Sequence, residues 1–139
     1  MRVYMDASAI ETIKDQNVRI EAKSGGTHLL VLEFAGVLSH RDPGLLLQPF
    51  FNEVHKRMTS DGGREVRVDI RDLRFMNSAS FKHFVTWIRQ NGSLPPAQRY
   101  KIHFLLNPQH HWQEVSIHAL SCFSMDEITV DKAAVPAKK

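Results

Sequence analysis

Apolar residues recur at every second position in five stretches of the chain. Val18, Ile20 and Ala22 alternate with Arg19, Glu21 and Lys23, and Ser24-Gly25-Gly26 follows as a hairpin-type turn. Leu30, Leu32 and Phe34 mark a second strand within residues 28–35. Val66, Val68 and Ile70 alternate with Glu65, Arg67, Asp69 and Arg71 in a third; Ile102, Phe104 and Leu106 mark a fourth, and Ile128 and Val130 a short fifth. A period of two gives each strand one apolar and one polar face. Strands buried on both faces of a doubly wound parallel sheet would show unbroken apolar runs instead. The pattern therefore predicts a sheet whose helices sit together on one face and whose other face meets water.

Between the strands the apolar period lengthens to that of a helix. Residues 43–60 set Leu47, Phe50, Phe51, Val54 and Met58 on one side, and Pro49 within them predicts a late start or a kink. Residues 78–90 set Phe81, Phe84, Val85 and Ile88 at i, i+3, i+4 and i+7, with Gly92 and Pro95-Pro96 ending the helix. Residues 108–123 set Trp112, Val115, Ala119 and Cys122 inward. The order β-β-α-β-α-β-α-β describes an α/β domain with a mixed five-stranded sheet. Residues 1–132 are expected to form this one domain, with 1–16 an ambiguous N-terminal extension and 133–139 a flexible tail.

Composition narrows the function. At 139 residues the chain is long enough for one domain with its own hydrophobic core. Its single cysteine, Cys122, excludes an internal disulfide and suits a reducing cytoplasm. No apolar run approaches the roughly 20 residues of a membrane span, and the first residues lack the basic start and apolar core of a secretory signal. A cytoplasmic protein with no membrane insertion is expected. The net charge of +3 is mild. Lys56, Arg57, Arg64, Arg67, Arg71 and Arg74 form a basic concentration, but Glu65, Asp69 and Asp72 interleave with it and no aromatic platform accompanies it. This reads as a solvated sheet face, with no nucleic-acid partner.

The chemistry concentrates where the third strand gives way to a helix opening on Asn77, Ser78, Ala79 and Ser80. Such a junction gathers free N–H groups and hydroxyls at the positive end of a helix. Asn77 or Ser78 caps that helix, contributing ~1 kcal/mol. A serine there, Ser78 or Ser80, can be a plain cap or the acceptor of a phosphoryl group. On a helical wheel Trp87 falls beside Ser80 and His83, off the apolar stripe, which makes it a candidate interface anchor; packing against residues 94–96 is the alternative. His111, His118 and Cys122 share the last helix, yet no third and fourth ligand is spaced nearby, so no metal site is expected. Ser78 and His83 point to different sides of one helix, and no nucleotide-binding glycine loop is present. No catalytic set emerges; the chain reads as a non-enzyme without a cofactor.

Two motifs, with the order of elements, carry a resemblance. Val68-Asp69-Ile70 is followed by Phe75-Met76-Asn77-Ser78-Ala79-Ser80, and Phe34-Ala35-Gly36-Val37-Leu38-Ser39 follows the second strand. Over residues 18–130 the chain resembles the STAS domain family, the fold of bacterial anti-sigma factor antagonists. The resemblance implies that Ser78 is phosphorylated by a partner serine kinase of the GHKL ATPase type that is also an anti-sigma factor. The unphosphorylated domain would bind this partner, which brings its own ATP and magnesium. The implied partner surface takes in Ser39, His40, Asn77, Ser78, Ala79, Ser80, His83 and Trp87. Asn77, Ser80 and Ser39 stand where the family carries aspartate, glycine and aspartate, so the acids flanking the acceptor are missing. A STAS-type scaffold or regulatory subunit of a signalling or transport complex, with no phosphorylation cycle, is the alternative.

Overall fold

The alternating segments pair side by side in chain order. The computed structural model describes residues 5–123 and 126–132. Its elements are β1 (Ile13–Lys14), β2 (Val18–Ser24), β3 (Leu29–Leu38), α1 (Gly44–Ser60), β4 (Glu65–Met76), α2 (Ser78–Gly92), β5 (Lys101–Leu106), α3 (His111–Ser121) and β6 (Ile128–Lys132). The fold is α/β, with three helices and a mixed six-stranded sheet in the order β1 to β6 among the described residues. The five expected strands are joined by β1, which lies in the segment left ambiguous by the sequence. The Asp15 carboxylate makes β1 by receiving the N–H groups of Asn17 at 2.8 Å and Val18 at 2.9 Å, a side-chain turn that folds the chain back onto β2. The expected tail, 133–139, lies outside the described residues.

The pairs β1/β2 and β2/β3 are antiparallel, and β3 to β6 are parallel. Three successive crossovers advance in one direction along the sheet, and crossovers of one hand put their helices on one face; α1 packs on α2 and α2 on α3. Leu32, Val68 and Phe104 stand in register on that face and are fully buried. Val31, Arg67, His103 and Thr129 form a neighbouring row on the other face. An aromatic cluster joins sheet and helices: Phe51 stacks on Trp87 with ring centroids 4.7 Å apart, and Phe84 meets Phe51 edge-on at 5.0 Å. No described helix is long and apolar enough to cross a membrane.

Three local features depart from the simple pattern. First, β4 carries an extra residue at each of two register shifts against β3, bulges that break the period of two so that Ile70 and then Leu73 turn inward. Second, Gly36 sits at φ +100°, and a Cβ there would lie 2.1 Å from the Asn17 carbonyl oxygen, which receives the Val37 N–H at 2.8 Å; only glycine permits this approach. Third, α1 begins at Gly44 with Pro49 inside it, so the late start does not occur. Pro49 is exposed and merely withholds an N–H from the Leu45 carbonyl one turn back.

The face of α1 is as expected, but that of α3 is not. Gln113, Ile117 and Leu120 point inward, while Val115, Ala119 and Cys122 are exposed and Trp112 is half-buried. The reason is polar. The Gln113 amide donates to the carbonyls of Ile70 at 2.6 Å, in the first bulge, and Leu73 at 2.8 Å, just past it, and this turns the helix.

Candidate functional site at the start of α2

β4 ends at Met76, and Asn77 is extended (φ −77°, ψ 168°) before α2 begins at Ser78. Asn77 is the N-cap: its side-chain oxygen receives the Ser80 N–H at 2.9 Å. Its side-chain amide donates to the His40 carbonyl at 2.9 Å, and its own N–H donates to the Leu38 carbonyl at 2.9 Å. One residue thus ties the start of α2 to the loop after β3. An aspartate could cap the helix equally well but could not donate to His40.

Ser78 is exposed at the first helical position, and its hydroxyl has no partner among the described residues. The first N–H groups of a helix have no intrahelical acceptor, so free donors lie beside it. Lys82 is exposed one turn further along the same side. Among the described residues no imidazole or carboxylate bonds the hydroxyl to activate it as a nucleophile.

Ser39 is exposed beside this junction, and His40 is half-buried with its Nε2 2.6 Å from Asp15 Oδ2. The N–H groups of Asn17 and Val18, and then His40, hold the Asp15 carboxyl below the usual carboxylate range. Asp15 is the member of this cluster that sequence reading missed. The only signal was the turn-forming run Asp15-Gln16-Asn17.

The structure gathers Ser39, His40, Asn77 and Ser78 on one surface, with Ala79 half-buried behind them. It turns three other candidates inward. Ser80 is fully buried, its hydroxyl enclosed without a partner, so it is no accessible acceptor. His83 is half-buried, with Nδ1 3.2 Å from Gln48 Oε1, and bridges α2 to α1 instead of facing a partner. Trp87 is 0 % exposed. It lies on Phe51 and donates its indole N–H to the Tyr100 hydroxyl at 2.8 Å, so it anchors the core and not an interface. The inward face of α2 runs through Ser80, Phe84, Trp87, Ile88 and Asn91, and its two polar members hid it from a count of apolar positions.

His111 and His118 lie on α3 and Cys122 is its C-cap, all three exposed. Among the described residues no three His, Cys, Asp or Glu side chains are grouped to hold a metal ion. No family model matches the chain, and no curated protein matches it in sequence.

Proposed function

We propose that this chain is a non-enzymatic signalling domain of the STAS type that acts like an anti-sigma factor antagonist in the bacterial cytoplasm. It binds a partner serine kinase and anti-sigma factor of the GHKL ATPase type through Ser39, His40, Asn77 and Ser78. Phosphorylation of Ser78 switches that contact off. The observation that carries the reading is the exposed, unpartnered hydroxyl of Ser78 at the first position of a well-capped helix.

The physics of the switch needs no movement of the domain. A phosphoryl group adds nearly two negative charges. At a helix N-terminus these meet free N–H groups and a favourable dipole, so the isolated domain tolerates them. In a docked, partly dry interface the same charge lacks a partner and forces the complex apart.

A fixed STAS-type scaffold or regulatory subunit is the second reading. It is favoured by Asn77, whose two polar atoms are both spent within the domain, and which leaves Ser78 without a flanking acid. Incubating the chain with ATP and its cognate kinase, with mass spectrometry of Ser78 and a Ser78→Ala control, separates the two. The switch requires phosphate on Ser78 and loss of kinase binding by Ser78→Asp. A complex indifferent to Ser78→Asp belongs to the scaffold.

A further inference from the structure

The N-terminal segment and α1 enclose a groove of about 440 Å³, lined on one side by residues from Ala9 to Asp15 and on the other by Leu45, Leu46, Pro49, Phe50 and Glu53. We propose that this groove docks an extended, basic and apolar segment of another protein, which adds as a strand to the edge of β1. The proposal is independent of the Ser78 switch and holds for the scaffold reading as well.

The first argument is the open edge. Among the described residues β1 lies at the end of the sheet and pairs only with β2. Ile13 stands opposite Ile20, and the Asp15 N–H donates to the Val18 carbonyl at 3.1 Å. Antiparallel alternation then turns the N–H and C=O groups of Thr12 and Lys14 away from β2. No turn or loop hydrogen bond among the described residues uses them. An edge with free main-chain groups is a template for a further strand.

The second argument is the facing wall. Leu45 is 77 % exposed, the most exposed large apolar residue described, and Pro49 is exposed beside it. Pro49 also brings no N–H to the Leu45 carbonyl one turn back. A strand laid on β1 would place alternate side chains against this wall.

Charge selects the occupant. The groove is lined by three acids, Glu11, Asp15 and Glu53, against one base, Lys14. Asp15 is held by His40 at 2.6 Å and Glu53 by Arg57 at 3.1 Å. Neither Glu11 nor Lys14 has an ion-pair partner among the described residues, and with histidine counted neutral and Glu53 offset by Arg57 the rim keeps one negative charge in excess. A segment alternating apolar side chains with lysine or arginine complements both wall and rim.

Panning a random dodecapeptide phage library against the full chain tests this, with the enriched peptides measured by fluorescence anisotropy. Enriched peptides are expected to alternate apolar with basic residues and to protect the Thr12 and Lys14 amides from exchange. Leu45→Asp should weaken them about tenfold and Glu11→Lys about threefold, while Ser78→Ala leaves them unchanged. Leu45 and Glu11 are both exposed, so these variants keep the fold. Each of the following results overturns the proposal: no enrichment, selection of acidic peptides, equal binding by Leu45→Asp, or a wild-type dimer that Leu45→Asp dissociates, which would give the groove to a second copy. Loss of binding by Ser78→Ala alone would move the peptide to the α2 junction and also overturn it.

Discussion

Asn77 donates its side-chain amide to the main-chain carbonyl of His40 at 2.9 Å, 37 residues away in sequence. The same side chain receives the Ser80 N–H. Cap and bridge therefore belong to one residue, and they respond differently to substitution. Asn77→Asp keeps the cap, loses the bridge and sets a carboxylate oxygen against the His40 carbonyl. It is expected to lower stability by about 1–2 kcal/mol, read as a shift in the urea midpoint at unchanged slope. A variant as stable as the native chain would show that the bridge contributes nothing.

The Tyr100 hydroxyl receives the Trp87 indole N–H at 2.8 Å and lies 2.7 Å from His55 Nδ1. With its lone pair engaged by Trp87, the phenol proton is free to go to His55, which fits a neutral imidazole. Tyr100→Phe leaves the indole N–H of a fully buried Trp87 unmatched. It is expected to cost about 1–3 kcal/mol, measured by chemical unfolding followed through tryptophan fluorescence.

The same trio sets a pH dependence. Burial holds His55 below its ordinary pKa of 6.5. Between the folded and unfolded values the unfolded chain binds the extra proton, so stability is full above about 6.5 and falls as pH drops through that window. Asp15, Asp6 and Glu114 also sit below their ordinary values of 3.8, 3.8 and 4.5, so their contributions are lost only in more acid solution. At the other end, burial raises Tyr100 well above 10.0, so its contribution is present below that value and lost as pH climbs past it. The thermal midpoint is expected to decline between about pH 7 and 5, and His55→Asn should flatten that decline. An unchanged slope in His55→Asn would assign the pH dependence to other groups.

Much of the fold is legible in the sequence where apolar residues alone decide burial. The stripe Leu47, Phe50, Phe51, Val54 and Met58 is the buried face of α1 in full, and the alternation of β2 to β5 separates the helix face of the sheet from the open one. Legibility fails where polar residues go inside. Ser80, Asn91 and Gln113 are fully buried, and a count that assigns polar side chains to water rotates α2 and α3 away from their true faces. Asn91 and Gln113 both find main-chain partners outside their own helices: Asn91 holds Tyr100 on both its N–H and C=O, and Gln113 reaches some 40 residues back to β4. At the junction, the cap and the exposed Ser78 follow from local chemistry and were readable. The link from His40 to Asp15 spans 25 residues and was not.

Gln113 is where that hidden polarity weighs most. Its amide nitrogen serves the Ile70 and Leu73 carbonyls, and its oxygen receives the Asn107 N–H at 2.8 Å. The side chain is 0 % exposed, so nothing else replaces these bonds. Gln113→Met, similar in shape but without donor or acceptor, is expected to cost about 3 kcal/mol. Gln113→Glu should cost more at neutral pH, because a buried carboxylate would face two carbonyl oxygens. The two variants then diverge on acidification. Burial among oxygens raises the new carboxyl's folded pKa above its unfolded value of about 4.3, so the protonated form, which can donate once, returns stability as pH falls. Between about pH 7 and 5 Gln113→Glu should gain stability while the native chain and Gln113→Met lose it through His55. Urea unfolding of all three at both pH values checks this, and parallel slopes would mean that position 113 does not face the carbonyls of β4.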